Sequence, residues 1–293
     1  MAAHVRMQII HHLADMTRWS NEVIAGGKAL ALVPTMGYFH AGHLSLMRQA
    51  GRLADHVVVS LFVNSLQFGP REDLSRYPRD LQRDARLAEN EKVDILFVPT
   101  SEEMYAPDFN TRVRVNGITD TLCGQQRPTH FEGVTTVVAK LFNIIKPHCA
   151  VFGQKDFQQL SVIRKMVREL NWDIEIFAHP IVREDDGLAM SSRNTYLSSE
   201  ERSKALCLNK AIQHAKARFA DGLDDSDLLI SEIRDIISAN SGVSIDYISL
   251  VDIDTLSDKQ VIDSQSVLAL AVKVGGTRLI DNYVMGSDIE AGN

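Results

Sequence analysis

Two histidines three residues apart, His40 and His43, stand in the segment PTMGYFHAGH at residues 34–43, with glycines at 37 and 42. Between a strand and a helix, glycines let the backbone approach a ligand closely, and the helix start offers unpaired N–H groups to a phosphate. Histidines beside such an anion can donate hydrogen bonds to its oxygens or protonate a leaving group. The H-x-x-H spacing also admits a metal, although no third ligand stands nearby in sequence. A strand–turn–helix with two solvent-facing histidines is the plain alternative. The segment lacks both G-x-G-x-x-G and G-x-x-x-x-G-K-[ST], which weighs against a dinucleotide fold or a P-loop.

Three further segments carry polar groups suited to a small ligand. In FVNSLQF, residues 62–68, the amides Asn64 and Gln67 are framed by Phe62, Leu66 and Phe68. That mixture suits a ligand with hydroxyl or carboxylate oxygens and an apolar body. In FGQKDFQQ, residues 152–159, Gly153 permits close approach, Lys155 offers a mobile positive charge, Asp156 suits a helix cap, and Gln159 lies one turn further on. In VREDDGLAMSSRN, residues 182–194, Ser191, Ser192 and Arg193 form a compact group of oxyanion donors. The acidic start of that stretch suits a solvated linker; its uncharged residues 188–192 suit one less well.

The elements that must position these groups alternate between short apolar runs and helical periods over residues 29–179. Residues 29–33 (ALALV) and 57–63 (VVVSLFV) read as buried strands, and 93–98, 149–152 and 174–177 as further strands. Between them, Leu44, Met47, Gly51 and Ala54 mark one helix face, residues 80–92 form a polar helix, and residues 133–145 a strongly apolar one. Leu160, Ile163, Val167 and Leu170 stripe another. Near-continuous apolar strands separated by helices predict an α/β, Rossmann-like, doubly wound parallel sheet, whose ligands bind beyond the carboxyl ends of the strands. All four polar segments fall at such ends or just after them. Beyond residue 180 the pattern changes to two helices, about 199–220 and 225–239. Three runs then follow, 245–251, 267–274 and 277–283, with a Gly275–Gly276 hairpin signal. The expectation is a first domain at 1–180 and a smaller α+β carboxy-terminal domain at 181–293, with a ligand cleft between them.

Composition narrows the function. The 293 residues carry 31 Lys plus Arg against 38 Asp plus Glu, a net charge of −7. That balance argues against a general binder of nucleic acid or of membrane surfaces. The uncharged stretch of 19 residues from 29 to 47 contains Pro34, Gly37, His40, Gly42 and His43, which a lipid-facing helix would hardly tolerate. The first twenty residues have no apolar core of secretory type. Cys123, Cys149 and Cys207 are odd in number and far apart, so a reducing, cytoplasmic setting fits better than a disulfide framework.

Taken together and in this order, the four segments resemble the pantothenate synthetase (pantoate–β-alanine ligase) family, with RYPRD at 76–80 and RPTHFEGVTTVV at 127–138 as supporting matches. The resemblance is dense over residues 32–197. It implies a nucleotidyltransferase with a HIGH-like first motif and a serine loop in the KMSKS role. Such an enzyme joins pantoate to β-alanine with ATP and Mg²⁺, through a pantoyl adenylate, releasing AMP and pyrophosphate. By resemblance, ATP lies on Met36, Gly37, Tyr38, Phe39, His40, Ala41, Gly42 and His43, on Gly153, Gln154, Lys155 and Asp156, and on Val182, Met190, Ser191, Ser192 and Arg193. His43 is then the proton donor, His40 lies close to the phosphates, and Lys155, Ser192 and Arg193 face them. Gln67 and Gln159, with Asn64, hold pantoate, and Asp84 is the candidate magnesium contact, a surface helix aspartate being the favoured alternative. A homodimer in the cytoplasm and a carboxy-terminal lid are also implied. The sequence departs from the family pattern at Ser65 (usually proline), Ala41 (usually acidic) and Gln154 (usually glutamate), none of them a position with an assigned chemical role. A different adenylyl transferase would share the histidines but need another acceptor pocket. A binding protein that had lost the chemistry would be expected to lose His40, His43, Lys155 and Arg193 first.

Overall fold

A computed structural model describes residues 7–70 and 72–287. The chain divides into two compact units. The first takes the residues up to Asn116 with Arg127–Gly153 and Val162–His179; the second takes Gly117–Gln126, Gln154–Ser161 and the residues from Pro180 on.

The first unit is built on six strands, β1 (Gln8–Ile10), β2 (Leu30–Thr35), β3 (His56–Leu61), β4 (Ile95–Phe97), β5 (Cys149–Gly153) and β6 (Glu175–His179). All pair in parallel, in the order β1-β4-β3-β2-β5-β6. The helices along the chain are α1 (Leu13–Ala25), α2 (Ala41–Leu53), α3 (Leu81–Asn90), α4 (Ser101–Met104), α5 (Leu122–Gln126), α6 (His130–Ile145) and α7 (Phe157–Glu169). Ala31, Val33, Val57, Val59 and Val151 bury one face of the sheet against Leu46, Met47 and Ala50 of α2 and Ala88 of α3. Leu30, Leu32 and Val58, the alternate residues, are equally buried on the other face, and α1 packs there with α6. Apolar runs covered on both sides are what a parallel sheet requires. The strand order reverses between β2 and β5, the switch point at which doubly wound sheets bind ligands. The PTMGYFHAGH segment leaves β2 there, and Gly153 ends β5.

The second unit contains α8 (Ser199–Ala205), α9 (Cys207–Ala220), α10 (Ser226–Ser238) and an antiparallel sheet β7-β8-β9. Its strands are β7 (Val243–Asp252), β8 (Ser266–Val274) and β9 (Thr277–Val284). Val274 pairs with Thr277 across the Gly275–Gly276 turn. Leu268, Leu270, Val272 and Val274 of β8 pack on Leu208, Ala211, Ile212, Leu229 and Ile233 of α9 and α10. The single helix expected over 199–220 is two helices meeting at Leu206. Ser198 and Glu201 cap the first reciprocally: the Ser198 N–H donates to Glu201 Oε2 at 2.9 Å, and the Glu201 N–H donates to Ser198 Oγ at 3.2 Å. With the break, Ala205, Cys207 and Leu208 are all buried, although 205 and 207 lie on different sides of a continuous helix.

All three cysteines are free and buried, and burial pushes the thiols of Cys149 and Cys207 up to about 11. Among the described residues, no helix is long and apolar enough to cross a membrane.

Candidate active site

The loop from β2 to α2 is held from outside by one carboxylate. Asp84, 1% exposed on the first turn of α3, accepts the Tyr38 N–H on Oδ2 at 2.6 Å and the Phe39 N–H on Oδ1 at 2.8 Å. Burial pushes this carboxyl above the usual range, against the two N–H groups and Arg83, which favour its charge. The clamp fixes a strained turn: Gly37 has φ +83° and Tyr38 φ +53°, the left-handed region that non-glycine residues avoid. Arg83 adds a second hold, donating to the Phe39 carbonyl at 2.8 Å while its guanidinium lies 5.0 Å from the Tyr38 ring centroid. Phe39 is fully buried and anchors the turn in the core.

The turn delivers the histidines to the start of α2. His40 is its extended N-cap residue. The His43 ring lies 4.1 Å from that of His40, centroid to centroid, and 5.6 Å from that of Phe39. The His40 N–H donates to His43 Nδ1 at 3.3 Å. An accepting Nδ1 leaves the ring proton of a neutral His43 on Nε2, which makes Nε2 a donor.

Gln67 stands against this loop: its Nε2 donates to Met36 Sδ at 3.0 Å. Asn64, 1% exposed, fixes the Gln67 side chain. It donates to Gln67 Oε1 at 3.1 Å and to the Gly133 carbonyl at 3.0 Å. Its own Oδ1 accepts from the Leu66 N–H at 3.3 Å and from Tyr105 Oη at 2.8 Å. Two donors and two acceptor sites exhaust an asparagine amide. Expected to touch substrate, Asn64 here supports the Gln67 side chain. The Gln67 carbonyl is bonded to His130 Nδ1 at 2.8 Å and accepts from Arg127 Nη2 at 3.2 Å. Arg127 pairs with Glu72. Burial opposes the Glu72 charge, but the guanidinium outweighs it and holds the carboxyl below its usual range.

The second unit holds the other expected residues except Gly153, which ends β5 in the first. Gln154, Lys155 and Asp156 form a short 3-10 turn, with Lys155 half-buried and Asp156 exposed. Asn282 of β9 donates its amide hydrogens to the carbonyls of Gln154 at 3.0 Å and Lys155 at 2.9 Å. Of the neighbouring glutamines, Gln158 is the structural one. It donates to the carbonyls of Ile118 and Thr121, both at 2.8 Å, and accepts the Cys123 N–H at 2.9 Å. Gln159 is half-buried.

Residues 182–190 fold as a tight hairpin, and Ser192–Tyr196 follow as a 3-10 turn. Met190 N–H donates to the Val182 carbonyl at 2.9 Å, Arg183 bridges Ala189, and Gly187 turns the chain at φ +89°. Arg183 also grips the buried Asp281 with both terminal nitrogens, at 2.7 and 3.1 Å. Ser191 Oγ accepts the Arg193 N–H at 3.2 Å, Ser192 is buried, and Arg193 is half-buried.

Each unit thus gathers its own share of the expected residues. Met36–His43, Asn64, Gln67 and Asp84 come together in the first, and Gln154–Asp156, Val182 and Met190–Arg193 belong to the second. Sequence reasoning missed the supports: Arg83, Tyr105, Gly133, Asp281 and Asn282, and the clamping role of Asp84. The i, i+4 spacing of Asp80 and Asp84 at a helix start was a visible signal for the last. Among the described residues, no group of three or more His, Cys, Asp or Glu could hold a metal.

A family model for pantoate–β-alanine ligase matches residues 8–284. A pantothenate synthetase of Geobacter sulfurreducens is 52% identical over 282 residues, covering 96% of this chain and 100% of that protein. One from Thermotoga petrophila is 51% identical over 280 residues, with coverage of 96% and 100%. Among solved structures, the pantothenate synthetase of Thermus thermophilus superposes with a TM-score of 0.90 at 41% identity, over 95% of this chain and 99% of that one. The pantoate–β-alanine ligase of Francisella tularensis, complexed with beta-gamma ATP and β-alanine, superposes with a TM-score of 0.77 at 32% identity, over 95% and 97%. Matched along nearly its whole length by family, by relatives and by fold, the chain belongs to the pantoate–β-alanine ligase family.

Proposed function

We propose that the protein condenses pantoate with β-alanine, driven by ATP, through a pantoyl adenylate. A pantoate carboxylate oxygen attacks the α-phosphorus; the bond from that phosphorus to the bridging oxygen breaks, and pyrophosphate leaves. The β-alanine amine then attacks the acyl carbon, AMP departs with the bonding pair, and the amine loses a proton. The observation that carries this reading is the contact of Gln67 Nε2 with Met36 Sδ at 3.0 Å, which holds an acceptor-type amide against the histidine loop. The Francisella tularensis relative, solved with beta-gamma ATP and β-alanine, supports both as substrates.

Negative charge builds on the pentavalent phosphorus and on the leaving pyrophosphate, so preorganised donors and cations lower the barrier. His43, with Nδ1 occupied by the His40 N–H, offers Nε2–H to the leaving group, and His40 lies beside it. Met36–His43, Gly153–Asp156, Val182 and Met190–Arg193 bind ATP in this reading, with Lys155, Ser192 and Arg193 facing the phosphates. Gln67 and Gln159 hold pantoate. Mg²⁺ belongs to the nucleotide substrate. Asp84, each of whose oxygens accepts one backbone N–H, keeps lone pairs with which it would contact that ion; bound there, Mg²⁺ would neutralise phosphate charge. A domain at 1–180 binding ATP and pantoate, a carboxy-terminal lid at 181–293, a cytoplasmic location and a homodimer complete the reading on family resemblance alone. Incubation with ATP, Mg²⁺, pantoate and β-alanine tests it: AMP, pyrophosphate and pantothenate are expected in equal amounts, and ATP left intact in a folded preparation refutes it.

A further inference from the structure

One strand of the second unit holds two of its loops. Side chains alternate across a strand, so Asp281 shares the face of Leu279 and Tyr283, which lie in the core of that unit. Asn282 points to the opposite face. On the first face, Asp281 is 2% exposed and receives Arg183 in a two-pronged ion pair, which ties β9 to the hairpin leading to Met190–Arg193. On the second, Asn282 is 4% exposed and donates to the carbonyls of Gln154 and Lys155.

The orientation of the Asn282 amide is determined. Turned over, its oxygen would face two carbonyl oxygens, so the donors must lie where they do. In this orientation Oδ1 is buried with no hydrogen-bond partner. The polar contacts of the side chain are the two that its N–H groups make. They hold consecutive carbonyls of a single 3-10 turn. With both peptide planes fixed, the Cα–Cβ direction of Lys155 is fixed as well.

We infer that Asn282 is a positioning residue for Lys155, setting the angle at which its ammonium group meets the nucleotide. The inference rests on the reading of Lys155 as a phosphate contact. Asn282 touches no reacting atom; it acts through the turn, and Asp281 keeps the strand in place behind it.

A double-mutant cycle on the full chain tests this, with the affinity for α,β-methylene-ATP measured by calorimetry and folding followed by thermal melting. Asn282→Ala should weaken binding by on the order of tenfold, the scale of losing one charge-assisted contact from Lys155 to the nucleotide. Lys155→Ala should weaken it as well. Combined with Lys155→Ala, the Asn282 substitution should change affinity by less than about twofold, because residues acting through one another are not additive. The same tenfold loss in both backgrounds, or none in either, overturns the inference while leaving the phosphate role of Lys155 standing. Full affinity in Lys155→Ala alone overturns that role, and the inference with it. Should Asn282→Ala not fold, Asn282→Ser, which retains one donor, carries the same cycle with the same deciding outcomes.

Discussion

Replacing Asp84 with alanine should both loosen the protein and slow its chemistry, by amounts that the geometry sets. The carboxylate accepts two backbone N–H groups at 2.6 and 2.8 Å inside the first unit. Hydrogen bonds to a charged group contribute about 1.5–3 kcal/mol each, so the pair contributes roughly 3–6 kcal/mol gross. Two terms offset this. Burial disfavours the ionised carboxyl, the cause of its raised pKa, and releasing Tyr38 from its left-handed backbone recovers ~1–2 kcal/mol. The net loss is about 2–3 kcal/mol, or roughly 5–10 °C of melting temperature for a chain of this size. The freed loop carries His40 and His43, and misplacing a reacting group by about 1 Å lowers rate on the order of 100-fold. Circular-dichroism melting and steady-state kinetics with varied ATP read the two effects. Asp84→Asn should fall almost as far, since its amide turns an N–H toward one of the two N–H groups it must satisfy. An alanine variant that melts within about 1 °C of the parent and keeps its kcat would refute the clamp.

Two other expectations follow from single contacts. A Cβ on Gly133 would stand 2.4 Å from the Leu66 carbonyl oxygen and 2.6 Å from the Gln67 nitrogen, so Gly133→Ala must push the Gln67 turn off α6 by roughly 1 Å to reach ordinary contact; KM for pantoate should rise at least about tenfold with KM for ATP little changed, and equal rises in both would remove Gln67 from the acceptor site. His179 at the end of β6 has a buried Nε2 without a partner, and burial first, then the charge of Arg52, lowers its pKa below 6.5; its stabilising contribution is therefore complete above the unfolded value and is lost as pH falls through the folded one, so His179→Phe should narrow the gap between melting temperatures at neutral and mildly acidic pH, and an unchanged gap would contradict the assignment.

Much of this could be read from the sequence because it depends on local pattern. Five of the six parallel strands are apolar runs flanked by helical periods, and the hairpin at Gly275–Gly276 is a matter of turn chemistry alone. The histidine loop was legible because its glycines and histidines are contiguous. What escaped depends on partners distant in the chain. Asp84 meets Tyr38 across 46 positions and Tyr105 meets Asn64 across 41, and Asn282 reaches Lys155 across 127. No periodicity encodes such pairs. The strand β1 was missed because three residues are too few to show a period. The break at Leu206 was missed because Lys204, Ala205, Leu206 and Leu208 around it are good helix formers.

Isotope exchange tests the adenylate most directly. With pantoate present and β-alanine absent, radiolabelled pyrophosphate should enter ATP, because the first half-reaction is complete and reversible before the amine is needed. Lys155→Ala should abolish most of that exchange yet still convert supplied pantoyl adenylate and β-alanine to product. An acyl-phosphate route would show no exchange and would release ADP instead of AMP, and that result would contradict the account.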